Sequence, residues 1–291
     1  MNKAHYRIED WMEVRRILRQ PLPKMYSYKS YKPASSYMLG SKSWDLGCGW
    51  NGALAMAQDA GWPEGAASIK SLADKYIDKI SNSVYVKQYV YDVQGLSFDV
   101  GMLMQGEPEH WIRTEDTDEI DRKHGKLYSV MINTAASSSM NADVIMRRGA
   151  AAASIVSLLE SVGMSTSLDV TNQVIGQKST HTLRIDISLK KHGEPLDMDR
   201  LALIAVHPAG LRRIMFKIKE TITTEEERKA IVIYCKARSY GTPTDIPESE
   251  LTGIDIYSPA LVRSRPHPFG SDLSTEEWIK SQLQKLGVVG E

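Results

Sequence analysis

Several stretches of this 291-residue chain bring reactive side-chain types close enough together to do chemistry. In "SWDLGCGWNGALAMAQDAGW", residues 43 to 62, Asp45 is followed by Gly47 and Gly49 ahead of a helical pattern. A carboxylate, mobile glycines and a helix N-terminus are what a loop needs to bring backbone N–H groups up to a cofactor. In "YSVMINTAASSSMNADV" a run of hydroxyls follows an apolar strand and precedes a helix. Open α/β sheets usually hold their ligands at such a strand end. In "VHPAGLRRIMFKIKE" His207 stands before Pro208, with Arg212 and Arg213 in the next turn. That suits an anion or partner site, or else a helix start with one solvated basic face.

Other reactive residues are scattered. Cys48 and Cys235 are far apart and lack ligand-type spacing, which fits a reducing compartment and excludes a disulfide framework. His181, His192 and His267 fall in separate segments without metal-ligand spacing. Asp197 and Asp199 are two residues apart, do not face each other on a helix, and read as an N-cap and a first-turn acid. No nucleophile-elbow, phosphate-loop or zinc-protease motif occurs. Thirty-six basic residues balance thirty-six acidic ones, which argues against a dedicated duplex-nucleic-acid binder while leaving room for a local basic patch. No apolar run approaches the roughly 18 to 20 residues of a membrane span. The opening "MNKAHYRIEDWMEV" is not a secretory signal, so the expected location is cytoplasmic.

The elements that must position these residues fall into three regions. Residues 1–40 hold a short helix expected over Ile8 to Leu18, then an extended basic-aromatic arm with Tyr26, Tyr28, Lys29, Tyr31, Lys32 and Tyr37. Residues 41–123 are mixed: two helices over 51–80 parted by Gly61, a strand near "SVYVKQYVYDV", a short helix ending at Gly106, and an acidic connector. Residues 124–291 alternate clearly. "KLYSVMIN" is a strand and "SMNADVIMRRGAAAASIVSLLESVG" a long helix. "STSLDV" and "HTLRIDISLK" form an antiparallel edge hairpin joined by "TNQVIGQKST". Helices broken at Pro208 follow, then strands "AIVIYC" and "GIDIYS", and a last helix with a capping box of Ser274 and Glu277. The expected fold is α/β, a mostly parallel sheet sandwiched by helices with a mixed N-terminal region.

Three resemblances attach to these residues. Asp-Leu-Gly-Cys-Gly resembles the cofactor loop of S-adenosylmethionine-dependent methyltransferases, which implies Asp45, Gly47 and Gly49 as cofactor contacts. Such a loop also needs a buried lead-in strand and a second strand ending in an acid. Here "YMLGSKSW" and a helix stand in those places. Asp45 therefore reads better as a turn cap, with Gly47 and Gly49 at positive φ. Residues 126 to about 287 resemble von Willebrand factor A domains in element order and in the serine-rich loop. Asn133 stands where that family has its metal-binding Asp, Ala135 at its first Ser and Ser137 at its second. A hard cation prefers charged oxygens, so Asn133 and Ser137 make a poor metal site and no cofactor is expected. The set "GWPEG", "GEPEHW", "RRGAAAA" and "HPAGLRRIMF" resembles a tailed-bacteriophage protein family without an assigned activity.

These readings lead to a non-enzymatic phage-type protein acting through protein–protein interaction or assembly, in the host cytoplasm. Its expected contacts are the loop Ser137, Ser138, Ser139 and Met140, the Arg212/Arg213 helix and the N-terminal arm. One alternative is single-strand nucleic-acid binding, in which the arm's tyrosines stack bases and its lysines neutralise phosphates. The other is methyl transfer on the Asp45–Gly49 loop.

Overall fold

A computed structural model of the chain describes residues 2–21, 45–59, 61–81, 88–95, 97–115, 125–176, 181–231 and 240–289. The aromatic stretch with Tyr26, Tyr28, Lys29, Tyr31 and Lys32 lies outside them, as do Cys235 and the acidic connector after Glu115.

Among the described residues the centre is a six-stranded sheet built from β1 (Asn2–Ile8), β5 (Leu127–Asn133), β6 (Ser165–Ile175), β7 (His181–Lys190), β8 (Thr242–Pro243) and β9 (Ile256–Ser258). Strand order is β1-β7-β6-β5-β9, with β8 pairing the far end of β6. β5 runs parallel to both β6 and β9, and β1 parallel to β7; β6 and β7 form the expected antiparallel hairpin. The fold is therefore a mixed α/β sheet, mostly parallel and flanked by helices.

The sheet's alternation explains its packing. Val130 and Ile132, Leu168 and Val170, and Leu183, Ile185 and Ile187 are buried apolar residues on one face. That face meets α5 (Ala142–Ser161), α1 (Trp11–Arg19) and α8 (Glu225–Ile231). The helix α5 carries Gly149 and Ala150 to Ala153, all buried, so it can lie close to its neighbours. A Cβ on Gly149 would sit 2.5 Å from Val206 Cγ2. Next to α5 packs α3 (Pro63–Ile80), with Pro63 in its first turn; of the face Ile69, Leu72, Tyr76 and Ile80 that helical spacing predicts, Leu72 is partly buried and the other three fully so. Before it runs α2 (Gly49–Gln58), and Gly61 between the two helices has φ +80°. The last helix, α9 (Asp272–Lys285), packs on α5.

Some expectations need correction. Residues 2–8 form a strand, so the first helix begins at Trp11, not at Ile8. Because β1 pairs with the outer side of β7, the hairpin is not the sheet edge. "TNQVI" is not a loop but the continuation of β6, since Asn172 and Gln173 find partners indoors in Thr134 Oγ1 and the Asp245 carbonyl. Ala230 and Ile231 close α8 instead of opening a strand, and 232–235 lie outside the described residues. The last capping box joins Ser271 to Ser274, one turn before the expected pair.

A second, three-stranded sheet stands apart in the chain: β2 (Gln88–Asp92), β4 (Trp111–Glu115) and β3 (Ser97–Phe98), in the order β2-β4-β3. A short helix, α4 (Val100–Met104), sits between β3 and β4, capped by Asp99.

Candidate functional site

The opening loop turns out to be structural. Asp45 Oδ1 accepts from the Gly47 N–H, and Oδ2 from the Gly49 N–H, each at 3.0 Å. Arg213 donates to the same carboxylate through Nε at 3.0 Å and Nη2 at 2.8 Å. Both side chains have no solvent exposure. Leu46, Gly47 and Gly49 hold positive φ, the geometry that lets both N–H groups turn onto one carboxylate. The carboxylate that would serve a methyltransferase cofactor is thus occupied by its own chain. Arg213 is likewise no part of a solvated basic face. Cys48, beside the pair, has its thiol pushed up by burial.

The segment carrying Arg213 is unusual. After α6 (Met198–Leu201), capped by Asp197 as expected, the backbone runs in π-helical turns over Ala202–Val206 and Gly210–Ile214. The break falls at His207 and Pro208, as the proline predicts. α7 (Met215–Ile222) continues the second turn. Gly210 makes the crossing possible: a Cβ there would stand 1.8 Å from the Leu203 carbonyl oxygen. His207 is buried against Trp62 in an edge-on contact at 4.5 Å, and its Nδ1 accepts from the Ala209 N–H. Burial lowers its pKa to about 4.

At the carboxyl ends of β5 and β6 the sheet opens into a cleft of about 470 Å³, within the size range of small-ligand pockets. The loop after β5 forms one wall through Thr134, Ala135, Ala136, Ser137 and Ser138. Asn133 fixes that loop. Its amide nitrogen donates to the Thr244 carbonyl and the Tyr257 hydroxyl, and its oxygen accepts from the Ala135 N–H. Ser137 is tied by its N–H to the Leu261 carbonyl, and its Oγ accepts from the Arg263 N–H. Asn133 and Ser137 are therefore engaged in holding the loop, and among the described residues no group of three His, Cys, Asp or Glu side chains could hold a metal ion. Ser138 and Ser139 are exposed, and Met140 packs partly against the core.

The opposite wall comes from the π-helical segment and α7. Arg212, Phe216 and Lys219 are spaced i, i+4 and i+7, which places them along one helical face, and all three line the cleft. Arg212 Nη2 donates to the Ser138 carbonyl at 3.2 Å and so joins the two walls. Phe216 stacks on Tyr240 at 3.7 Å with the rings 7° from parallel. Lys219 is buried, its Nζ 3.3 Å from the Tyr240 carbonyl, and desolvation lowers its pKa to about 7. The neighbouring Glu220 faces away to the Tyr240 hydroxyl. One turn of α5 beyond the cleft residue Ile145, Arg148 is fully buried and donates to the Asn133 and Ala205 carbonyls. Burial lowers the pKa of its guanidinium as well.

Of the expected site residues, the structure brings Ser137, Ser138 and Arg212 together at this cleft. Asn133 anchors its loop, and Asp45 and Arg213 lie in the interior. Sequence reading missed Phe216, Lys219, Asn172 and Tyr240; the spacing of Arg212, Phe216 and Lys219 was the available signal.

The fold and cleft define an α/β protein with a basic pocket at its strand ends. Within that class the chain belongs to the family described as Domain of unknown function (DUF7192), whose model matches residues 2–288. No curated protein and no solved structure matches it. Among the described residues no helix is long and apolar enough to cross a membrane.

Proposed function

We propose that this protein works by association, joining a second copy of itself through the small sheet and α4. The observation that carries this is the apolar surface the module presents. Tyr91, Val93, Phe98, Val100, Leu103 and Met104 are all exposed, Met104 at 83%. None of them belongs to the buried core or to the hydrophobic residues packed against it. Among the described residues no side chain of α4 is buried.

A small sheet gains stability by packing an apolar face against something. Exposed apolar clusters of this kind usually mark contact surfaces. A second copy suits the surface on charge. The chain has net charge zero, so two copies approach without long-range repulsion. Pairing of one patch with itself gives a closed two-fold dimer. Among the described residues no strand pairs the outer edge of β2, so antiparallel addition of a second β2 would extend the sheet. The expected partner loop, Ser137 to Met140, borders the cleft, away from this module in sequence. The resemblance to phage proteins accords with an assembly role.

Phe98→Asp and Met104→Asp test the proposal in size-exclusion chromatography with light scattering. The wild-type chain is expected to run above the 32.6 kDa of one copy, and each variant at that mass with unchanged circular dichroism. A wild-type chain of one-copy mass at every concentration, or variants that associate as it does, would overturn it.

A further inference from the structure

The cleft at the ends of β5 and β6 has the chemistry of a ligand site distinct from the association surface. Its lining includes the cations Arg212 and Lys219 and, among the described residues, no carboxylate. A lone buried ammonium is costly, and proteins normally neutralise it or surround it with acceptors. Among the described residues Lys219 reaches one acceptor, the Tyr240 carbonyl at 3.3 Å. Its neighbour in sequence, Glu220, is turned to the Tyr240 hydroxyl. Arg148, close behind the cleft, donates to the Asn133 and Ala205 carbonyl oxygens and, among the described residues, to no carboxylate, so it adds positive potential.

A second, separate observation points to an occupant. Asn172 is buried on the cleft lining, and its side-chain amide nitrogen donates weakly to Thr134 Oγ1 at 3.4 Å. Among the described residues its amide oxygen has no partner. A buried acceptor left unsatisfied costs free energy that a ligand's donor would recover. The rest of the wall is apolar: Ala135, Ala136, Ile145, Val174 and Leu211, with the Phe216–Tyr240 stack at one side. A pocket with apolar walls and a few convergent polar groups is the usual form of a small-molecule site.

We propose that this cleft binds a small organic anion, its carboxylate or phosphate held between Arg212 and Lys219 and its apolar body laid against the Phe216–Tyr240 stack. A hydroxyl or amino group on that ligand would meet the Asn172 amide oxygen. The positions of the two cations select for charge, and the stack selects for a flat or apolar body.

Thermal-shift titration of the full chain with phenyl phosphate, benzoate, inorganic phosphate and uncharged benzyl alcohol tests this, because a ligand that binds only the folded state must raise Tm. Phenyl phosphate or benzoate at millimolar concentration is expected to raise Tm by a few degrees, and whichever does so names the headgroup. Inorganic phosphate is expected to act more weakly and benzyl alcohol not at all. Arg212→Gln and Lys219→Met are each expected to weaken binding at least tenfold. Both variants are expected to keep the fold, since Arg212 is only partly buried and Lys219→Met removes a buried charge, and unchanged circular dichroism checks it. No shift with either aromatic anion, an equal shift with benzyl alcohol, or wild-type binding by Arg212→Gln would overturn the proposal.

Discussion

Asp45 and Arg213 meet in an ion pair at 2.8 Å with both side chains sealed from water, although 168 residues separate them. The pair fastens the glycine turn ahead of α2 to the π-helical segment that lines the cleft. Its carboxylate also accepts the Gly47 and Gly49 N–H groups, so the interaction is a small network instead of a single contact. Breaking a buried pair leaves an uncompensated charge, which costs far more than the pair itself contributes. Asp45→Asn is therefore expected to lower stability by about 3–5 kcal/mol in denaturant titration. Asp45→Asn combined with Arg213→Met should recover part of the loss; a single variant as stable as wild type would contradict this account of the turn.

His207 links stability to mild acid. Burial lowers its pKa from 6.5 to about 4, so between those values the unfolded chain binds a proton that the folded chain does not. Stability from this group is complete above pH 6.5 and is lost as pH falls toward 4. Thermal melts of the wild type and His207→Asn across pH 4 to 7 should show a steeper decline in the wild type. Parallel curves would rule the linkage out.

Lys219 acts in the opposite range. Its pKa drops from 10.5 to about 7, so a folded protein at lower pH carries a buried charge. Above about 7 the folded state sheds that proton while the unfolded chain keeps it, and stability rises with pH until about 10.5. Lys219→Met should melt a few degrees higher than wild type at pH 6 and lose this rise. The wild type thus tolerates a destabilising cation at the cleft, as binding sites commonly do.

Gly210 is expected to admit no side chain. An added Cβ would lie 1.8 Å from the Leu203 oxygen, a backbone atom that cannot turn aside. Gly210→Ala should cost about 3 kcal/mol, the upper part of the range for overpacking. Gly193→Ala, where nothing lies within 4 Å but φ is +79°, should cost only about 1 kcal/mol. Equal losses in chemical denaturation would show that the helix crossing is not tight at Gly210.

What could be read from the sequence followed local pattern. The β5–α5–β6–β7 succession, the Pro63 start, the Pro208 break and the Asp197 cap each depend on neighbouring residues, and each was legible. β1 was hidden because "NKAHYRI" carries Lys3, His5 and Arg7 on one side. They look solvated until Glu250, Asp186 and Asp169, more than 160 residues away, supply their partners. The polar end of β6 was hidden for the same reason, since Thr171, Asn172 and Gln173 are buried only because the chain returns over them. The cleft was half legible. Its serine loop announced itself at a strand end, whereas Lys219 and Asn172 resemble surface residues and become remarkable only through burial. The Asp45 loop misled because a cofactor loop and a salt-bridged turn share one local sequence.

The association surface is tested most directly by amide hydrogen exchange measured on concentrated and dilute wild-type protein. If two copies join through this module, the amides of Gln88–Asp92 and Val100–Met104 exchange more slowly in the concentrated sample, while those of β5 and β6 are unchanged. Exchange in the module that is independent of concentration, with the module unprotected throughout, would contradict the proposal.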